Sequence, residues 1–482
     1  MRKLLLATAA VLGAGIFGTA ETAQAQTATT AAAPAPGTVT VRLNGRFRFF
    51  AAYMDNNDAQ NNLQGGNGTT PLTGTNKLAN YDFIEYARLY PGFDGVAANG
   101  LKYGASLEIR QDHNAGAGGG MYNSISVEDQ ARGMLYFRRE WGYIGTDKLG
   151  TIRFGNTDPA SSLYMTGNFE NFNDGGINGD VYNALPGNLQ ILWPFADVGN
   201  LYDTSKILYL SPQFFGFDFG VSFEPNSGNV NENSGCGANS FTGTNFINPA
   251  GNFTTAAGAN AQGIAGPGCN ALSSTPTTDY MRRRNTFDGL IRYRGSFGPV
   301  GIAATAGYIG GSHVNNDATI AAGATPPTQY NGLKVGDFGL AVTYGGLSVG
   351  GKYQFGRYNG QWSLDPTRVT VAPGVTRDGP DAVAWLVGAS YTVGPVIVGF
   401  HYLDYTSTGD LTQGVQGRQR REQGLSAGGT YSLAPGLSIF LDYLYFQRKQ
   451  NGFNFITGAT NDFVNHNKVT AQLISLGTSF AW

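Results

Sequence analysis

The chain has 482 residues, a formal net charge of −2, only 13% charged residues, 12% aromatics and 71 glycines. A near-zero charge with no clustered basic stretch excludes a nucleic-acid-binding surface. Low charge, abundant Gly and many Tyr and Phe suit a β-barrel wall, apolar outside while mean hydropathy, here −0.19, stays low.

At the N-terminus, Arg2 and Lys3 precede a short apolar stretch from Leu4 to Phe17, and Ala23-Gln24-Ala25 offers a small-residue cleavage site. Residues 1–25 therefore read as a signal peptide. The stretch is broken by Gly13 and Gly15 and falls short of the roughly 20 residues of a helical span. Residues 26–38 form an Ala/Pro/Thr-rich leader, and 39–482 the barrel. Removing Arg2, Lys3 and Glu21 from 31 basic and 33 acidic residues leaves 29 and 32, a net charge of −3.

The first strand falls near 39–53, with Val41, Leu43, Phe47, Phe49 and Tyr53 on one face and Arg42, Asn44, Arg46 and Arg48 on the other. The second, near 81–94, contains FIEYARLYPGF, which places Glu85 and Arg88 at opposite parity. The third, 101–112, sets Leu101, Tyr103, Leu107 and Ile109 against Lys102, Ser106, Glu108 and Arg110. The fourth, 131–145, carries Arg138 and Arg139 side by side. A bulge or an interfacial charge reconciles each conflict. Strands five to nine follow near 150–157, 204–213, 216–224, 284–296 and 300–311. The rest lie near 333–345, 346–357, 380–393, 396–407, 421–432, 437–449 and 467–482.

That is an even number, sixteen, and many of the strands approach the 9–11 residues a tilted strand needs to cross a bilayer. Long links such as 158–203, 225–283, 312–332 and 358–379 alternate with tight turns such as TDKL, SFGP and VGP. One end of the barrel therefore carries short turns and the other large loops. The expected fold is all-β: a 16-stranded antiparallel transmembrane barrel with short periplasmic turns and long extracellular loops. The last strand places Ile474, Leu476, Phe480 and Trp482 on one parity, and a closed barrel pairs it with the first strand.

A barrel of this size leaves an aqueous lumen, so function depends on what narrows it. The link of about 158–203 is the candidate constriction. It holds Tyr164, Phe169, Phe172, Tyr182, Trp193 and Phe195, the acids Asp158, Glu170, Asp174, Asp180 and Asp197, and no Lys or Arg. Facing it, early strands supply Arg42, Arg46, Arg48, Arg88, Arg110 and Arg153. Opposed rows of charge would set a transverse field across a narrow neck. The acids and the net charge of −3 suggest a weak cation preference.

Cys236 and Cys269, within the loop of about 225–283, are expected to form a disulfide as an even pair in an exported protein. No Cys or His stands at metal spacing from either, so no metal site is expected, and no cofactor.

LGTIRFGNTDP before the third loop, YLSPQFFGFDFGVSFEP over strands six and seven, and the terminal SFAW resemble the Gram-negative general porin superfamily, over essentially the whole mature chain. The resemblance implies an outer-membrane homotrimer for passive diffusion of small hydrophilic solutes and ions, with the third loop folded inward as an eyelet. It also implies that Phe480 and Trp482 belong to a C-terminal assembly signal. Two departures stand out: Gly155 is followed by Asn156 where members often have Arg, and the acidic loop-tip motif of enteric porins is absent.

The alternatives are a substrate-selective porin for sugars or anions, or a non-channel adhesin. Catalysis finds no support: His113, His313, His401 and His466 lie in no hydrolase or metal-binding spacing.

Overall fold

The structure is a computed structural model. It describes residues 36–56, 79–112, 134–185, 191, 193–197, 204–226, 283–313, 332–357, 382–407, 420–455, 462–464 and 466–482. The stretch read as a signal peptide, most of the expected leader, and Cys236 and Cys269 with their expected disulfide lie outside the described residues.

Sixteen strands are present among them. The first half comprises β1 (Val39–Asn56), β2 (Tyr81–Val96), β3 (Lys102–Asp112), β4 (Met134–Thr146), β5 (Gly150–Thr157), β6 (Thr204–Leu210), β7 (Phe217–Asn226) and β8 (Arg283–Phe297). The second half comprises β9 (Val300–His313), β10 (Leu333–Tyr344), β11 (Leu347–Arg357), β12 (Ala382–Val393), β13 (Val396–Ser407), β14 (Arg420–Ala434), β15 (Leu437–Gln450) and β16 (Lys468–Ala481). Each pairs with its sequence neighbours, and β1 pairs with β16 to close the barrel. No strand edge is left open, which is the condition for a sheet to cross a bilayer.

Closure explains the terminal tryptophan. Gly45 and Trp482 exchange backbone hydrogen bonds, each N–H donating over 3.1 Å to the other's carbonyl. The indole lies flat over Gly45, where a Cβ would sit 2.3 Å from its ring. Phe480 pairs in register with Phe47 on the outer face, their rings 6.3 Å apart.

The two parity conflicts resolve differently. In β2, Arg88 shares the inner face with its register partner Arg46, while Glu85 pairs with Phe49 and points outward as an exposed charge. In β4 the register shifts: Glu108 faces Arg139 and Ile109 faces Phe137, leaving Arg138 as the extra residue of a bulge. The bulge lets consecutive arginines both reach inward.

The inner face is not uniformly polar. Along β16, Val469, Ala471 and Leu473 are buried inside, while Ile474 and Leu476 face out and are exposed. Similar inward apolar positions on β13 and β15, Leu403, Tyr405, Leu444 and Phe446, complete one wall of an internal hydrophobic core. The other wall is supplied by the chain between β5 and β6.

Candidate functional site

After β5, Pro159 leads into a single helical turn, α1 (Ala160–Leu163), whose Ser161 N–H donates to Asp288 Oδ2 of β8 over 2.8 Å. The chain then lies on the wall backbone to backbone. A Cβ on Gly339 of β10 would come 2.2 Å from the Thr166 carbonyl oxygen, and one on Gly167 would come 2.2 Å from that of Gly351 of β11. Inward glycines of β12 and β13, Gly388 and Gly399, seat the rings of Phe169 and Phe172. Two 3-10 turns, Gly176–Asn178 and Asp180–Ala184, carry the segment past β14 and β15 to β1 and β2. Gly176, at φ +65°, packs against His401 where a side chain would clash. The return limb brings Ile191, Trp193 and α2 (Pro194–Asp197) back along the same wall.

His401 of β13 ties both limbs together. It is fully buried; its Nδ1 lies 2.8 Å from the Phe169 carbonyl and its Nε2 accepts from Ile177 N–H over 3.3 Å. Its ring meets Phe172 edge-on at 5.6 Å and Trp193 at 5.5 Å. The sequence registered His401 only as an unremarkable histidine. Its inward parity between Gly399 and Leu403 was the one available signal.

At the far end, one acid meets three wall arginines. Asp180 accepts from Arg48 at 2.9 Å, from Arg46 at 3.1 Å and from Arg88. Burial alone would raise the Asp180 carboxyl, but Arg88, Arg46 and Arg48 outweigh it and hold it well below the usual carboxylate range. Arg48 also donates to the Asp174 carbonyl at 3.0 Å. These groups are covered: the Arg48 and Asp180 side chains are 4% and 5% exposed.

The remaining sequence candidates divide. Arg42 pairs with a wall acid, Asp94, at 2.5 Å, and both are more open, at 24% and 28%. Arg110 pairs with Glu108, which also takes Arg139 at 2.5 Å and Arg138 at 3.4 Å. Arg153 stacks over Trp141 at 4.2 Å. Of the loop acids, Asp158 binds Arg139 at 2.5 Å. Glu170 accepts from Asn168 at 2.9 Å and Asn178 at 3.2 Å, within its own loop. Asp197 closes α2. Six arginines opposed to five loop acids is therefore not the arrangement found: Arg42 and Arg110 are answered by wall acids.

A family model described as Gram-negative porin matches residues 7–451. The chain belongs to the Gram-negative porin family. Among solved structures, a Salmonella typhi OmpF complex with daunomycin aligns over 92% of this chain and 97% of its own, at 12% identity and a TM-score of 0.50. The anion-selective porin from Comamonas acidovorans aligns over 92% of this chain and 100% of its own, at 14% identity and a TM-score of 0.48. At such identities the Salmonella typhi likeness speaks for the fold alone. No curated protein matches the sequence. As a Gram-negative porin, the protein is an outer-membrane channel.

In this porin the loop aromatics are anchors. Phe169, Phe172, Trp193 and Phe195 are buried in the internal core, and Tyr164 lies over the Arg292 guanidinium at 3.8 Å. Sequence reading missed Glu108, Arg138 and Arg139 as a cluster, because their partnership depends on the bulge.

Asp174 sits beside Asp180 but serves differently. Its N–H donates to Asp442 Oδ1 over 3.3 Å, and its Oδ2 accepts from Val181 N–H over 3.0 Å. Burial, opposed by Arg48 and assisted by Asp180, pushes its carboxyl up to about 6 from 3.8. A raised folded pKa means stability present in acid and lost as pH climbs through about 6. Loop packing should therefore firm between pH 6 and 4, seen as quieter single-channel current. Asp174→Asn should remove that dependence; a dependence that persists in the variant would assign it elsewhere.

Proposed function

We propose that this porin is a passive diffusion channel for small hydrophilic solutes and ions, constricted by the inward-folded segment of about 158–203, with a preference for anions. The observation that carries the reading is the arginine excess on the inner face of β1–β5. Arg42, Arg46, Arg48, Arg88, Arg110, Arg138, Arg139 and Arg153 stand against Asp82, Asp94 and Glu108 of the same strands and Asp158 and Asp180 of the segment. Fixed charges within about a Debye length act on a permeating ion even when each is paired. The segment covers the β10–β16 wall, and the more open side chains, Arg42 and Asp94, belong to the β1–β5 side. The solute path then runs on the β1–β5 side past Arg42 and Asp94, beside the Asp180 clamp.

This reverses the weak cation preference expected from composition. Of the loop acids counted there, Asp180 is matched by three arginines and Asp158 by Arg139. A sugar-selective path lined by loop aromatics loses its support, since those rings are buried.

In this reading the short turns face the periplasm and the long connections the exterior. Homotrimerisation would cover the outward charges Glu85 of β2 and Glu140 of β4, which are costly against lipid. The test is single-channel recording of refolded protein under a KCl gradient. Conductance steps with a reversal potential toward chloride are expected. A reversal toward potassium would overturn the anion preference, and silence from a folded barrel would overturn the channel.

A further inference from the structure

Toward the short turns from the Asp180 clamp, the inner face of β1–β5 changes character. Arg88 pairs in register with Arg110, and Gly92 with Ser106, four residues or about 13 Å nearer the short turns. One row across the wall at that lower level reads Arg42, Gly92, Ser106, Trp141. The next reads Asp94, Gly104, Tyr143, Arg153. The positions between the ion pair Arg42–Asp94 and the aromatic pair Trp141–Tyr143 are thus glycine or serine. They floor a shallow trough about 14 Å wide, at about 4.8 Å per strand from β1 to β4. The Tyr143 ring lies over Gly104, where a Cβ would meet it at 2.6 Å, and its hydroxyl donates to Asp94. Arg42 lies over Gly92 in the same way, 3.1 Å from where a Cβ would sit.

Arg153 stands apart from the other arginines of this wall. Its guanidinium stacks on the Trp141 ring at 4.2 Å, and that ring lies 5.9 Å from the ring of Tyr143. All three side chains are half-buried. Among the described residues, Arg153 has neither hydrogen bond nor ion pair. The acids on this side are taken: Asp94 by Arg42 and Tyr143, and Asp158 by Arg139 at 2.5 Å. Stacking occupies a face of the guanidinium and leaves its in-plane N–H donors unused.

We infer that Arg153, Trp141 and Tyr143 form a solute-binding site in the lumen for aromatic carboxylates. The carboxylate accepts two parallel N–H bonds from the open edge of Arg153, and the ring of the solute rests against Tyr143 over the glycine floor. A planar cation without a partner calls for a planar, bidentate anion. The adjoining aromatic surface selects one with a ring of its own over chloride or acetate, which have nothing to stack. A sugar fits less well, because Asp94, the carboxylate that could accept from its hydroxyls, is already held by Arg42 and Tyr143. The inference deepens the proposed diffusion reading and rests on it for the solute path along β1–β5.

The test follows the fluorine resonance of 4-fluorobenzoate with refolded porin in neutral detergent, where line broadening beyond that in empty micelles reports binding. Broadening is expected for 4-fluorobenzoate and not for the neutral 4-fluorobenzamide. Excess benzoate should reverse it; acetate or glucose at the same concentration should not. Arg153→Gln should weaken binding roughly tenfold, about 1.4 kcal/mol. Should that variant fold poorly, Trp141→Leu should give about a fivefold loss by removing the platform under the guanidinium. Equal broadening of the amide, or unchanged binding in both variants, would overturn the site. Competition by acetate equal to that by benzoate would reduce it to a simple anion site, and displacement by glucose would reassign it to sugars; either overturns the inference. Broadening needs no conduction. Silence under the KCl gradient with broadening intact would sink the channel reading alone, and conductance steps without broadening would sink this site alone.

Discussion

Asp180→Asn should release the third loop while leaving the barrel closed. The substitution removes the one carboxylate that Arg46, Arg48 and Arg88 share, and leaves three buried guanidinium groups facing one another. Breaking a buried ion pair from one side costs about 3–5 kcal/mol, because the remaining charge stays desolvated and unanswered. The barrel ladders do not depend on this contact, so the loss should fall on the loop. Larger, noisier conductance steps are expected, with the reversal potential moved further toward chloride because a negative charge is gone. Steps as quiet and small as those of the unaltered protein would show that the clamp does not hold the loop. A shift toward potassium would refute the arginine-based selectivity.

Gly339→Val should open the same channel from the opposite wall. Gly339 has no side chain because the Thr166 carbonyl occupies its place; a Cβ there would meet that oxygen at 2.2 Å. Backbone cannot give way as a flexible side chain does, and overpacking of this kind costs about 1–3 kcal/mol. Valine is otherwise well suited to a strand. The β10 ladder should persist while the loop near Gly167 lifts off. Raised conductance with the heat-modifiable gel mobility of an intact barrel is the expected result. Unchanged conductance would mean the loop is held chiefly at its charged tip, and loss of the barrel would mean loop and wall fold as one unit.

The two substitutions act on different bonds of one lining. The aromatic side of the loop rests in a glycine-floored groove over β10–β13, and its acidic tip is fastened to β1 and β2. His401 joins the limbs between them. Because the core lies inside the barrel, half of the inner face is spent on packing. In the proposed reading, the β1–β5 side is left to act on solutes. That division also explains why β16 is apolar inside at Val469, Ala471 and Leu473 as well as outside at Ile474 and Leu476.

Much of this was legible in the sequence. Alternation at period two is a local property, so it placed β5 at 150–157 and β13 at 396–407 to the residue, and it separated Arg46 and Arg48 from Phe47 and Phe49. Alternating link lengths are likewise local and imply closure with one loop-bearing end. The glycine-to-tryptophan seam was foreshadowed by the outward Ile474, Leu476 and Phe480. Charge pairing was not local. Asp180 meets Arg48 across 132 residues and Arg88 across 92, and nothing in either stretch marks the other. The bulge at Arg138 depends on register with β3, so the sequence posed the conflict and only pairing resolved it. The sequence by itself thus determined the barrel and its strand alternation, because these follow from repeating patterns along the strand. The tertiary structure decided which acids are neutralised, which rings are anchors and which wall stays charged. Those outcomes depend on distances between groups that only folding brings together.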